Sequence, residues 1–203
     1  MNPLFSTYTD AELWQAFKAN EEEAYACIYH RYASELYNYG RHLVKNRQLV
    51  EDCIHDLFVY LYEHRHTLGS TDSIKFYLFR SLRRKISESV DAQMKYADEL
   101  DALGYDFEVV YSPETKLIEE LSAQVLQSQI LDAINQLPKR QREALYLLYY
   151  NGLSYQEVAA IMSLKVRTLY NQVHTALQTL KKVLEKASFT GPILVLFSFL
   201  FSR

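Results

Sequence analysis

The sequence predicts an all-α protein: two small helical domains joined by an acidic linker, the C-terminal one a helix-turn-helix without a wing. Three observations predict it. Only five glycines and four prolines are spread over 203 residues, too few breakers for many short strands joined by tight turns. Apolar residues recur at spacings of three and four along most of the chain, which gives each helix one buried stripe. Capping boxes at Thr9/Glu12 and Ser154/Glu157 mark helix starts in both halves, because each pair satisfies amides that a first turn leaves unpaired.

In order along the chain, the first box opens the helix "ELWQAFKAN", and a longer helical stretch follows from Glu21 to about Val44. In "LVEDCIHDLFVYLYEHRH" the residues Val50, Cys53, Ile54, Leu57, Phe58 and Leu61 form one apolar stripe, with Asp52, His55, Asp56, Val59 and Glu63 on the opposite face. "GSTDS" interrupts the pattern, and helix signals resume through "IKFYLFRSLRRKISESV". A first helical domain is expected over residues 1–95. Residues 96–118 lack a sustained period, are acidic and contain Gly104 and Pro113, the composition of a linker.

Periodicity returns at Leu117, Leu121, Val125, Ile130, Leu131 and Ile134. Pro138 suits the first turn of the next helix and Gly152 its end. The second domain is expected over 119–186. The remaining segment, 187–203, is apolar from Ile193 to Phe201, about half of the roughly 20 residues that a membrane-spanning helix needs. Docking on the folded domains, an interfacial membrane contact and a partner-binding peptide are its three readings; docking is favoured because it hides apolar surface.

The formal net charge of −3 conceals a basic, acidic, basic order. Lys75, Arg80, Arg83, Arg84 and Lys85 lie together with no acid among them, and a second basic block runs from Lys139 to Lys186. Between them Asp98, Glu99, Asp101, Asp106, Glu108, Glu114, Glu119 and Glu120 dominate. Such a distribution fits nucleic-acid contact at two separate places.

The stretch "GLSYQEVAAIMSLKVRTLYNQVHTALQTL" has the pattern of a helix-turn-helix. Val158, Ala159, Ile161 and Met162 supply the inner face of its first helix, and Ser163, Leu164 and Lys165 form the turn. Val166, Leu169, Val173, Ala176, Leu177, Leu180, Val183 and Leu184 line the second helix. In such a unit the second helix enters the major groove; an ordinary αα-hairpin with a solvated face is the alternative. The outward residues are Arg167, Tyr170, Asn171, His174, Gln178 and Lys181. Lys165, Thr168 and Thr175 complete the candidate DNA contacts. Arg167, Asn171 and His174 are the candidate base readers, and Tyr170 is suited either to stacking or to a thymine methyl. The upstream "PKRQR" adds cations, but the second helix itself is weakly basic, so a lone module would bind DNA weakly. In the first domain Tyr77, with Phe76 and Phe79, interleaves with the cations Lys75, Arg80, Arg83, Arg84 and Lys85. That mixture fits an opened strand whose bases stack on aromatics, and burial is expected for at least two of Phe76, Phe79 and Leu82.

The order of these parts resembles the extracytoplasmic function class of bacterial RNA polymerase sigma factors, from about Glu21 to Lys186. "LVEDCIHDLFVYLYEHR" is similar to the family helix that docks on the clamp helices of the largest polymerase subunit, with Glu51, Asp52, His55, Asp56 and Phe58 at its pattern positions and His55 replacing Gln. "DSIKFYLFRSLRRKI" resembles the segment that recognises and opens the minus-ten element; Tyr77, Leu78 and Arg80 match, and Arg84 and Glu88 replace Asn and Asp. The stretch from Leu137 through the helix-turn-helix resembles the minus-thirty-five-binding domain, with Ser163 for a common Gly, Lys165 for Ser, and Tyr170, Gln172 and Thr175 where basic residues are common. The resemblance implies core RNA polymerase and promoter DNA as partners, an anti-sigma protein as inhibitor, and a linker that runs through the polymerase cleft.

The resemblance implies no catalytic residue, no cofactor and no small-molecule substrate, and no metal-ligand spacing occurs among the six histidines and two cysteines. Cys27 and Cys53 are expected to be buried thiols. The N-terminus shows no signal-peptide pattern, so a cytoplasmic location is expected. A stand-alone helix-turn-helix regulator that works without polymerase is the rival expectation, and a helical adaptor using the apolar tail is the third.

Overall fold

The structure, a computed structural model, describes residues 7–96, 107 and 131–186, with side chains through 92 and through 183. The linker apart from Phe107, the periodic residues Leu117 to Ile130, the side chain of Leu184 and the apolar tail lie outside the described residues. Those described form helices and no strand. The chain divides into two compact units, Met1–Asp106 and Phe107–Arg203.

The first unit holds α1 (Asp10–Lys18), α2 (Glu22–Leu43), α3 (Arg47–His64) and α4 (Ile74–Tyr96). Thr9 caps α1 with Glu12 reaching back to it. Asn20, at φ 73, ends the helix: its left-handed conformation lets the Glu21 amide reach the Ala16 carbonyl at 3.2 Å. The apolar stripes of the four helices meet in one core built on Trp14, Phe17, Ile28, Leu36, Tyr39, Leu57, Leu61, Ile74, Phe79 and Leu82. At Gly40 α2 and α3 pack closely, since a Cβ there would lie 2.6 Å from Val50 Cγ1. Trp14 is fully buried and its indole donates to the Gly69 carbonyl at 2.8 Å, which ties α1 to the turn before α4.

Asp10 is the polar centre of this unit. One carboxylate oxygen accepts from the Tyr32 hydroxyl at 2.7 Å and from Arg31 at 3.3 Å. The other accepts from the Ile74 amide at 2.8 Å and so caps α4 across 64 residues of sequence. Burial, then the hydrogen bond to Asp10, raise the Tyr32 phenol above its ordinary pKa and keep it protonated as the donor. Cys27 and Cys53 are buried and form no disulfide with each other.

The second unit holds helical residues 131–135, α5 (Lys139–Leu145), a π-helical turn (Tyr146–Tyr150), α6 (Tyr155–Ile161) and α7 (Val166–Lys186). Pro138 stands at the N-cap of α5, one position before the first helical residue where the sequence reading placed it. The wide last turn ends where the Asn151 amide reaches the Tyr146 carbonyl, and Gly152 then reverses the chain at φ 68. Ala144, Leu147, Val158, Ile161, Leu169, Val173 and Ala176 form the core. Phe107, in the stretch expected to be an acidic linker, is fully buried in this unit with its ring 5.5 Å from Tyr146. One large apolar ring in an acidic stretch gains more from a core than from water.

Candidate nucleic-acid interface

In the second unit the turn between α6 and α7 closes as a Schellman motif. The Leu164 amide bonds the Ala159 carbonyl at 2.8 Å, with Ser163 at φ 56 between them. Ser154 caps α6: its hydroxyl accepts from the Glu157 amide and Glu157 bonds back to the Ser154 amide at 2.8 Å. The inner faces of both helices are buried as their spacing predicts, with Val166 and Val183 half-buried at the ends. A Cβ in the left-handed region costs about 1–2 kcal/mol. Ser163→Gly is therefore expected to stabilise the second unit by about 0.5–1 kcal/mol after the greater unfolded-state entropy of glycine is subtracted. Urea unfolding followed by helical circular dichroism checks this, and Trp14 fluorescence, which reports only the first unit, should not move.

All seven predicted contact residues of this unit, Lys165, Arg167, Thr168, Tyr170, Asn171, His174 and Thr175, are exposed. They are not equally available. The Thr175 hydroxyl donates to the Asn171 carbonyl at 2.9 Å, so only its lone pairs remain for DNA. The His174 ring meets the Gln178 amide at 2.9 Å. Tyr170 lies flat on Tyr155, the rings 4.1 Å apart and 8° from parallel. Burial, and then the nearby Tyr155, raise the Tyr149 phenol above its ordinary pKa. Sequence reasoning missed Tyr155 as part of this surface; its place as first residue of α6, just after the Gly152 reversal, was the available signal.

The upstream basic run needs one correction. Lys139 and Arg140 are exposed, but Arg142 is buried and donates to the Asn135 carbonyl at 2.7 Å. It joins α5 to the preceding helical residues, because it points inward with Glu143, Ala144 and Leu145 on that helix.

In the first unit the basic helix α4 is divided by its neighbours. Arg80 and Arg84, one turn apart, are exposed, while Arg83 is half-buried. Arg84 pairs with Glu88 at 2.7 Å and Arg80 sits 5.9 Å from the Phe76 ring centre. Lys75 instead pairs with Glu35 on α2 at 2.8 Å, and Lys85 with Asp56 on α3 at 3.4 Å. Tyr77 is half-buried with its ring 5.2 Å from Trp14, which takes much of it away from a stacking role. Phe79 and Leu82 are fully buried as expected, and Phe76 is half-buried.

On α3 the acidic residues Glu51, Asp52 and Asp56, with His55 among them, form an exposed face. Asp52 accepts from Gln48 at 2.8 Å, and Asp56 lies within 4.0 Å of the His55 ring. Phe58, predicted beside them, is only 3% exposed, its ring 4.8 Å from Tyr29 and its backbone carbonyl bonded by Tyr25. It belongs to the apolar stripe of α3 and holds the acidic face from beneath; it cannot itself be the contact in this conformation. Next to that face Tyr29, Val59, Tyr60 and Tyr62 are exposed apolar groups. No helix among the described residues is long and apolar enough to cross a membrane.

Residues 28–95 match Sigma-70 region 2, and residues 127–180 match Sigma-70, region 4. The chain is 26% identical over 155 residues to the ECF RNA polymerase sigma factor SigM of Bacillus subtilis, covering 76% of this chain and 91% of that protein. CnrH, solved in complex with the cytosolic domain of CnrY, shares the fold with a TM-score of 0.56 at 17% identity, over 88% of this chain and 99% of that one. The sigma factor RpoE from Bartonella quintana, solved with the anti-sigma factor NepR, has a TM-score of 0.54 at 21% identity, over 75% and 91%.

Proposed function

Because the chain belongs to the extracytoplasmic function class of bacterial RNA polymerase sigma factors, it is an initiation factor for core polymerase and promoter DNA, and we propose that its two units divide that work. The α3 face of Asp52, His55 and Asp56 docks the polymerase, with Phe58 supporting it. Arg80, Arg83 and Arg84 on α4 contact the minus-ten element and help to open it, with Lys75 and Lys85 joining once their ion partners are engaged elsewhere. The exposed face of α7 reads the minus-thirty-five element. Residues 1–95 form the first functional domain, 119–186 the second, and 96–118 the connection.

The single observation behind this division is the modest charge of the α7 face, which between Val166 and Leu180 carries Arg167 as its one Lys or Arg, with Lys181 and Lys182 only beyond that stretch. Such a helix holds DNA poorly by itself. Two weak contacts joined through one polymerase act as a multivalent binder, so neither needs high affinity alone. The match to both sigma-70 regions sets aside a stand-alone regulator, which has no use for the first. The protein is non-catalytic in this reading and works in the cytoplasm, where the polymerase is, under the restraint of an anti-sigma protein.

Run-off transcription on a pool of random promoter fragments tests it. Core polymerase with this protein is expected to yield defined starts on a subset of fragments, while core polymerase alone yields none of them. The absence of any protein-dependent start would sink the reading.

A further inference from the structure

Tyr170 stands on the recognition face where a cation would serve phosphate contacts, and its ring is not free to swing. One face is covered by Tyr155 in a parallel stack at 4.1 Å, yet half of the residue remains exposed. The stacked pair joins two helices, α6 and α7. A ring fixed in this way loses little rotamer freedom on binding, so its contact is pre-organised. It offers an apolar, electron-rich face beside the polar readers Arg167 and Asn171.

In duplex DNA the base faces are covered by their neighbours. The apolar group that reaches the major groove is the 5-methyl of thymine. Building on the minus-thirty-five role proposed above, we infer that Tyr170, positioned by Tyr155, is a specificity determinant that selects a thymine in the upstream promoter element through its 5-methyl group.

The test replaces thymine by deoxyuridine, which removes the methyl and leaves the pairing intact, at each thymine of an upstream element recovered from the run-off pool. With the wild-type protein and core polymerase, one position is expected to lose about fourfold in initiation, the worth of one buried methyl-sized group. Tyr170→Ala should initiate less from the thymine template and no longer respond to deoxyuridine, whereas Tyr170→Phe should respond as the wild type does. For the positioning role, Tyr155→Phe should keep the response and Tyr155→Leu should lose it, with the circular-dichroism melt confirming that both remain folded. A recovered element without thymine, no sensitive position, or a Tyr170→Ala protein as sensitive as the wild type would each overturn the inference while initiation itself stands. Undiminished methyl sensitivity in Tyr155→Leu would overturn the role of Tyr155. If no fragment is transcribed, the functional reading fails and this inference falls with it.

Discussion

Reversing the charge at Asp52 and Asp56 together is expected to weaken binding of core RNA polymerase by about a hundredfold or more, equivalent to ~3 kcal/mol. The two carboxylates stand one turn apart on α3 and share its exposed face. The Asp56 side chain is 65% exposed, and the lysine that pairs with it, Lys85, belongs to the neighbouring helix. Two lysines there would replace attraction by repulsion at the centre of the proposed docking face. The fold should tolerate them, since exposed ion pairs of this kind contribute only about 0–1 kcal/mol. Fluorescence anisotropy of labelled protein titrated with core polymerase gives the affinity, and the Trp14 melt reports the integrity of the first unit. Unchanged affinity in a folded variant would remove α3 from the interface. Phe58→Ala is the instructive contrast: it should lower the melting temperature, because that ring is core, and weaken docking only through the fold.

Removing the carboxylate of Asp10 should have the largest effect on stability. Asp10→Ala removes the acceptor of the buried Tyr32 hydroxyl, breaks the Arg31 ion pair and uncaps α4. Hydrogen bonds to charged groups and helix caps of this kind sum to about 2–4 kcal/mol. For a unit of this size that corresponds to a fall of roughly 10–20 °C in the Tm. Trp14 is the sole tryptophan and is fully buried, so its fluorescence isolates the first unit from the second. Asp10→Asn, which keeps an acceptor for the Ile74 amide, is expected to lose less than the alanine variant. A Trp14 transition that stays in place in Asp10→Ala would show that the three bonds do not hold the unit together.

The helices themselves were legible in the sequence wherever one apolar stripe met one capping signal. Thr9/Glu12 and Ser154/Glu157 formed the predicted boxes, and Cys53, Ile54, Leu57, Phe58 and Leu61 formed the predicted buried stripe. These features depend on residues within one turn of each other, so periodicity alone reveals them. The outward residues of α7 were legible for the same reason.

Partnership between elements was not legible. The cations of α4 look equivalent along the chain, but Glu35 and Asp56, on two different helices, engage Lys75 and Lys85 and leave Arg80 and Arg84 outermost. Arg142 looks like part of a basic patch in "PKRQR" until the rotation of α5 turns it inward to Asn135. In each case the deciding neighbour lies too far away in sequence, or on the wrong side of a helix, for local spacing to reveal it.

The sequence by itself therefore determined the helical class, the helix-turn-helix and its family, because hydrophobic period, caps and motif order are local properties of the chain. Only the tertiary structure decided which charged and aromatic residues of those motifs are available to a partner: availability depends on what distant helices bring alongside, as Tyr155 does for Tyr170 and Asp10 does for the start of α4.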